Sequence, residues 1–232
     1  MSLKEYLKKK KHSRFSINGV EVLIKDSPPD NVDVKKVLNY IFNRIPNHLL
    51  INFKTINIGS FEVLNKRNLQ AMYSNSNIYV SNKLKSNEDL LDDVIHEIAH
   101  SVEEKYKDFI YSDEKIKQEF LHKRKKLWNI LKNEGYHADL EQFLNTKYDQ
   151  EFDKFLYMTI GYPVLGMYSK NIFYSPYGCT SLREYFANGF EAFFMKENIS
   201  LLKKVSPILY NRIVQLSNIE ETNNELRENY QT

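Results

Sequence analysis

Leu90-Leu-Asp-Asp-Val-Ile-His96-Glu97-Ile98-Ala99-His100-Ser-Val102 is the stretch around which this chain of 232 residues is organised. His96 and His100 stand four residues apart, so on a helix both imidazoles leave one face with Cβ atoms roughly 5–6 Å apart. Two imidazole nitrogens at that spacing can share one metal ion, and zinc accepts them at about 2.0–2.1 Å. Glu97 follows the first histidine directly and has the place of a general base toward an attacking water. Leu90, Leu91, Val94, Ile95, Ile98, Ala99 and Val102 recur at spacings of three and four, which gives the helix a buried stripe. Ser86 or Asn87, with Asp89 close behind, supplies its start. The pattern is that of a zinc peptidase; the competing reading is an ordinary buried helix whose two histidines are satisfied by carboxylates.

Composition narrows the class. Hydrophobic residues make up 42%, with 16 Tyr and 14 Phe, enough apolar side chain to fill a core. A net charge of +3 is too small to direct the chain to nucleic acid. Cys179 is the single cysteine, which excludes an internal disulfide and a four-thiol zinc site. Residues 1–14, with Lys4, Lys8 to Lys11, His12 and Arg14, read as a basic flexible leader. No apolar stretch of signal-peptide length opens the chain, and no later run approaches the ~18 apolar residues of a membrane span. The expectation is a soluble chain, cytoplasmic or secreted with its signal removed.

Along the chain, Phe15 to Ile24 alternates around Asn18-Gly19, a type I′ hairpin signal. Val34 to Ile45 keeps a helical period until Pro46. Leu49 to Ile58 reads as a strand, and residues 59–76 as turn-rich. Gln70–Tyr73 and Asn77–Ser81 read as short strands, the second an edge able to pair with an extended peptide. Tyr111 to Asn133 predicts a charged helix closed by Gly135, in which Lys123-Arg124-Lys125-Lys126 reads as a solvated face. Helices are expected over 140–145 and 150–159, a loop over 160–178, helices over 182–195 and 206–216, and a polar tail over 218–232.

A catalytic zinc ion takes three protein ligands and keeps a fourth position for water. Glu103 and Tyr106 stand where H-E-x-x-H-x-x-G-x-x-H requires Gly and His, so the metzincin pattern is excluded. The third ligand is then a more distant residue. Glu184 lies in an apolar helix, where a carboxylate is costly unless paired or metal-bound. Glu119, Glu191, His122 and His137 are the alternatives.

The motif His96-Glu-Ile-Ala-His100, followed by Tyr177 and then Glu184-x-x-Ala187-x-x-Phe190, resembles the catalytic domain of anthrax lethal factor and the clostridial Pro-Pro endopeptidases. Ile98-Ala99 replaces the Phe-Gly usual there, a packing change. The resemblance implies Glu184 as third zinc ligand and Tyr177, seven residues earlier, as a hydroxyl facing the metal and stabilising the oxyanion. It implies an α+β, zincin-like fold: a small mixed sheet lobe over 15–105 that includes the H-E-x-x-H helix, and a mostly helical lobe over 106–217. The activity expected is that of a zinc endopeptidase with one Zn²⁺ per chain. Its substrate would be a protein or peptide lying extended in the cleft between the lobes, and the enzyme is expected to be monomeric. The alternative function is a peptide-binding module of the same fold without turnover.

Overall fold

The computed structural model describes residues 13–196 and 198–219. Of the leader expected over 1–14 and the tail expected over 218–232, positions 1–12 and 220–232 lie outside them, while Ser13 and Arg14 are not leader but the start of a strand that pairs with residues 23 and 24. The architecture is mixed α+β with a small mixed five-stranded sheet, and the chain forms two compact units, one up to Lys105 and one from Tyr106.

In the first unit, β1 (Ser13–Ile17) and β2 (Val20–Ile24) form the expected hairpin. Asn18 and Gly19 both carry positive φ (48° and 83°), the geometry a type I′ turn demands. Asp33 caps α1 (Val34–Phe42) by accepting the Lys36 N–H, and Val34, Val37, Leu38, Ile41 and Phe42 are its buried face. The strand expected over 49–58 is shorter. Residues Asn47–Leu50 form a helical turn, α2, and β3 is Thr55–Gly59. Pro46 explains this, since it stands at the cap of α2 and its fixed φ opens a helix as readily as it ends one. The turn-rich segment likewise contains a short helix, α3 (Glu62–Arg67).

β4 (Ala71–Ser74) and β5 (Asn77–Ser81) complete a sheet of order β1-β2-β3-β5-β4. β5 runs parallel to β3 and antiparallel to β4, so it is an interior strand, and the edge is β4. This corrects the expectation that Asn77–Ser81 is exposed to pairing. A type I′ turn at Asn75 (φ 50°) and Ser76 (φ 61°) folds β4 back outside β5. α4 (Asn87–Tyr111) follows, longer than its apolar stripe because the helix continues to a non-helical residue at Tyr106 and beyond.

The second unit is helical. α5 (Lys115–Asn133) is closed by Gly135 at φ 88° and by the Tyr136 N–H donating to the Leu131 carbonyl. The solvated-face reading of residues 123–126 fails for its first half: Lys123 and Arg124 are buried, while Lys125 and Lys126 are exposed. The reason is periodicity, because Ile116, Phe120, Lys123, Arg124, Leu127 and Leu131 fall on one helical stripe. α6 (Leu140–Leu144) and α7 (Gln150–Lys154) follow, and α7 runs on as a π-helix over Phe155–Ile160.

The loop expected over 160–178 is mostly helical. Gly161 at φ 80° ends the π-helix, and Pro163 in the first turn starts α8 (Tyr162–Ser169). A 3₁₀ turn over Tyr177–Cys179 leads into α9 (Leu182–Met195), followed by α10 (Ile199–Val205) and α11 (Pro207–Ser217). Gly189 sits inside α9 because α11 passes close there: a Cβ at Gly189 would stand 2.4 Å from Leu209 Cδ2. Among the described residues no helix is long and apolar enough to cross a membrane.

Candidate metal centre

Two devices set the start of α4. The Asp89 N–H donates to Ser86 Oγ at 3.2 Å, and Asp89 Oδ2 accepts the Lys85 N–H at 2.8 Å, a reciprocal cap. From that start, Leu90, Val94, Ile95, Ile98, Ala99 and Val102 are fully buried. The helix is thereby fixed in rotation, and His96, Glu97 and His100 fall at the border of its buried stripe. Glu97 and His100 are each 6% exposed. The rings of His96 and His100 lie 4.9 Å apart, centre to centre, at 89°.

Ligand atoms of His96, His100 and Glu184 all lie within 4.8 Å of one another, and the three could hold one metal ion. Among the described residues this is the one such group of histidine, cysteine and acidic side chains. Glu119, Glu191, His122 and His137 do not belong to it. Glu119 is used elsewhere. Its Oε1 accepts the Ile208 N–H at 3.0 Å, and its Oε2 accepts the Leu209 N–H at 3.1 Å and the Tyr185 hydroxyl at 2.8 Å. It caps the N-terminus of α11 from another helix. His122 and His137 are exposed.

In the sequence Glu103 marks only a departure from the metzincin pattern, yet its Oε2 stands 4.0 Å from His100 Nδ1. At that distance Glu103 is an acidic neighbour of the imidazole and not its hydrogen-bond partner. The signal for it in the sequence is the i, i+3 spacing from His100. Tyr73 is a second residue that the sequence reading does not include. Its backbone N–H donates to Glu97 Oε2 at 2.5 Å. No sequence pattern announces a backbone donor on a neighbouring strand.

Tyr177 and Glu184 are set by local geometry within the second unit. Tyr177 opens the 3₁₀ turn, and its carbonyl accepts from both the backbone N–H and the hydroxyl of Thr180. Ser181 then caps α9 by accepting the Glu184 N–H at 3.2 Å. One tight turn, one cap and one helical turn therefore make up the seven-residue interval. Tyr177 is 38% exposed as a whole, and partial shielding of its hydroxyl from water, followed by the negative charge of Glu184, raises the phenol above the ordinary tyrosine range. Tyr162 is pushed up to about 12, again chiefly by burial. Both hydroxyls therefore stay protonated, as hydrogen-bond donors, at neutral pH.

No protein-family model, curated protein or solved structure matches the chain.

Proposed function

We propose that this chain is a zinc-dependent endopeptidase of zincin-like architecture, akin to the lethal factor catalytic domain. What supports the reading most is the convergence of His96, His100 and Glu184 within 4.8 Å, with Glu97 next to the first of them in sequence. Two imidazoles and one carboxylate are a donor set that catalytic zinc uses while keeping a coordination position open. They suit zinc better than calcium or magnesium, which favour all-oxygen shells.

When bound, zinc supplies Lewis acidity toward a carbonyl oxygen and toward water. Glu97 takes the proton of the attacking water and returns it to the leaving amine. The Tyr73 N–H holds one of its oxygens, which leaves the carboxylate little freedom to turn away. Tyr177, a protonated donor, stabilises the oxyanion, a contribution typically worth about 10²–10³ in rate.

The substrate is an extended peptide, and β4 supports that choice. The pairs Met72 with Tyr79 and Ser74 with Asn77 face β5, and Ser81 N–H reaches the Gln70 carbonyl. By alternation Ala71 and Tyr73 turn their backbone groups away from β5; the Tyr73 N–H is taken by Glu97, and the Ala71 N–H and the two carbonyls are the groups that a peptide would meet. The same edge favours the second reading, a peptide-binding module, but that module would give Glu97 no role. Metal analysis of the purified protein separates the readings at their first step. One zinc per chain, lost in His100→Ala together with peptide cleavage, is expected. Cleavage that survives complete chelation would contradict the reading.

A further inference from the structure

We propose that Arg124 is a positioning residue for the hydrolytic site, fixing the junction that sets Tyr177 relative to Glu184. The inference rests on the endopeptidase reading. Arg124 is 0% exposed, and its guanidinium donates to four carbonyl oxygens. Nη1 donates to Cys179 O at 2.7 Å and to Thr180 O at 3.1 Å, Nε donates to Phe143 O at 3.1 Å, and Nη2 donates to Gln142 O. The guanidinium lies 4.0 Å over the Phe152 ring, with Phe120 and Phe143 also within cation–π range.

A buried cation held by neutral carbonyls is a costly way to join helices, since apolar side chains of similar volume often serve stability as well or better. Burial pushes its pKa down to about 10, so the charge persists at neutral pH. What the guanidinium supplies that an apolar side chain does not is direction. Its rigid fork ties α5 and α6 to two consecutive carbonyls, and the residues there have defined duties. Thr180 holds the Tyr177 carbonyl through its N–H and its hydroxyl, and Ser181, the next residue, caps the helix bearing Glu184. The side chain thus grips the chain three residues after Tyr177 and four before Glu184. Lys123, beside it, anchors a different segment, donating to Ile172 O, Val205 O and Ser206 Oγ.

The test is steady-state hydrolysis of one cleavable peptide by zinc-loaded wild type, Arg124→Lys, Tyr177→Phe and the double variant. Lysine keeps the charge but cannot span two carbonyl pairs. Arg124→Lys should bind one zinc per chain and lower kcat by about 10–100-fold with KM within about twofold, as small misplacement of a catalytic group does. The double variant should be no slower than Tyr177→Phe alone, because both changes remove one contribution. If Arg124→Lys does not fold, Arg124→Met carries the same comparison, since an apolar side chain of similar volume fills the site without gripping the Cys179 and Thr180 carbonyls. Additive losses in the double variant, or a wild-type kcat in Arg124→Lys, overturn the inference alone. A zinc-loaded wild type that cleaves no peptide overturns the endopeptidase reading and this inference with it.

Discussion

The Tyr73 N–H on the edge strand β4 donates to Glu97 Oε2 on α4 at 2.5 Å. A buried carboxylate is thereby tied to the sheet by a backbone donor that β4 turns outward, so the bond costs the ladder nothing. Hydrogen bonds to an ionised group contribute about 1.5–3 kcal/mol. Tyr73→Pro removes the donor at an edge position where the ladder tolerates proline. Its hydrolysis rate should fall about 10–100-fold below that of Tyr73→Ala, which loses the same ring but keeps the N–H. Zinc content should be equal in the two variants. Equal rates would show that the bond has no part in the reaction.

Glu119 caps α11 and accepts the Tyr185 hydroxyl, which makes it a stability residue. Glu119→Ala should lower unfolding stability by roughly 2 kcal/mol, one part for the cap and one for the hydroxyl. Urea denaturation measures the loss. The folded variant should still hold one zinc per chain, and metal loss without destabilisation would make Glu119 a ligand after all.

Gly189 tests the packing of α9 on α11. The added methyl of Gly189→Ala meets Leu209, which is 1% exposed and has no room to turn aside. Overpacking of this kind costs about 1–3 kcal/mol, which outweighs the gain in helix propensity of roughly 1 kcal/mol. A stabilised Gly189→Ala protein, by thermal melting, would show that the two helices can separate.

Lys123 makes stability depend on pH in an unusual direction. Burial lowers its pKa from 10.5 to about 8, with the charge of Glu119 opposing. Between those values the unfolded chain binds more protons than the folded one, so stability rises with pH. Wild type should therefore gain on Lys123→Met from about pH 8 to pH 10.5, by at most roughly 3 kcal/mol. Denaturation at several pH values reads the difference directly. A constant difference would mean the ammonium feels no net penalty in its buried place.

Much of the local structure is legible in the sequence where one signal dominates. Asn18-Gly19 specifies its hairpin, and the apolar stripe from Leu90 to Val102 specifies the helix carrying His96 and His100. The sequence misleads where a residue has two structural meanings. Pro46 reads as the end of a helix, whereas it stands at the start of the next, and the segment 160–178 reads as a loop, whereas Pro163 starts a helix within it. Lys123 and Arg124 read as surface on account of their charge, although their spacing from Phe120 and Leu127 already puts them on the buried stripe. The edge of the sheet is not legible because strand order depends on long-range pairing, which alternation within Asn77–Ser81 does not encode. The same limit hides Tyr73, whose N–H reaches Glu97 from a strand 24 residues away in sequence. Glu184 stands out because a carboxylate in an apolar helix needs a partner, and a ligand atom of each of His96 and His100 is within 4.8 Å of its own.

If Glu97 moves the proton in a hydrolysis supported by metal on His96, His100 and Glu184, its neutral isostere must separate metal binding from turnover. Wild type and Glu97→Gln are therefore compared on a peptide library, both loaded with zinc and both assayed for metal content. The expected result is one zinc per chain in each protein, cleavage by wild type, and a loss of at least about 10²-fold in Glu97→Gln. Cleavage at the wild-type rate by zinc-loaded Glu97→Gln would contradict it.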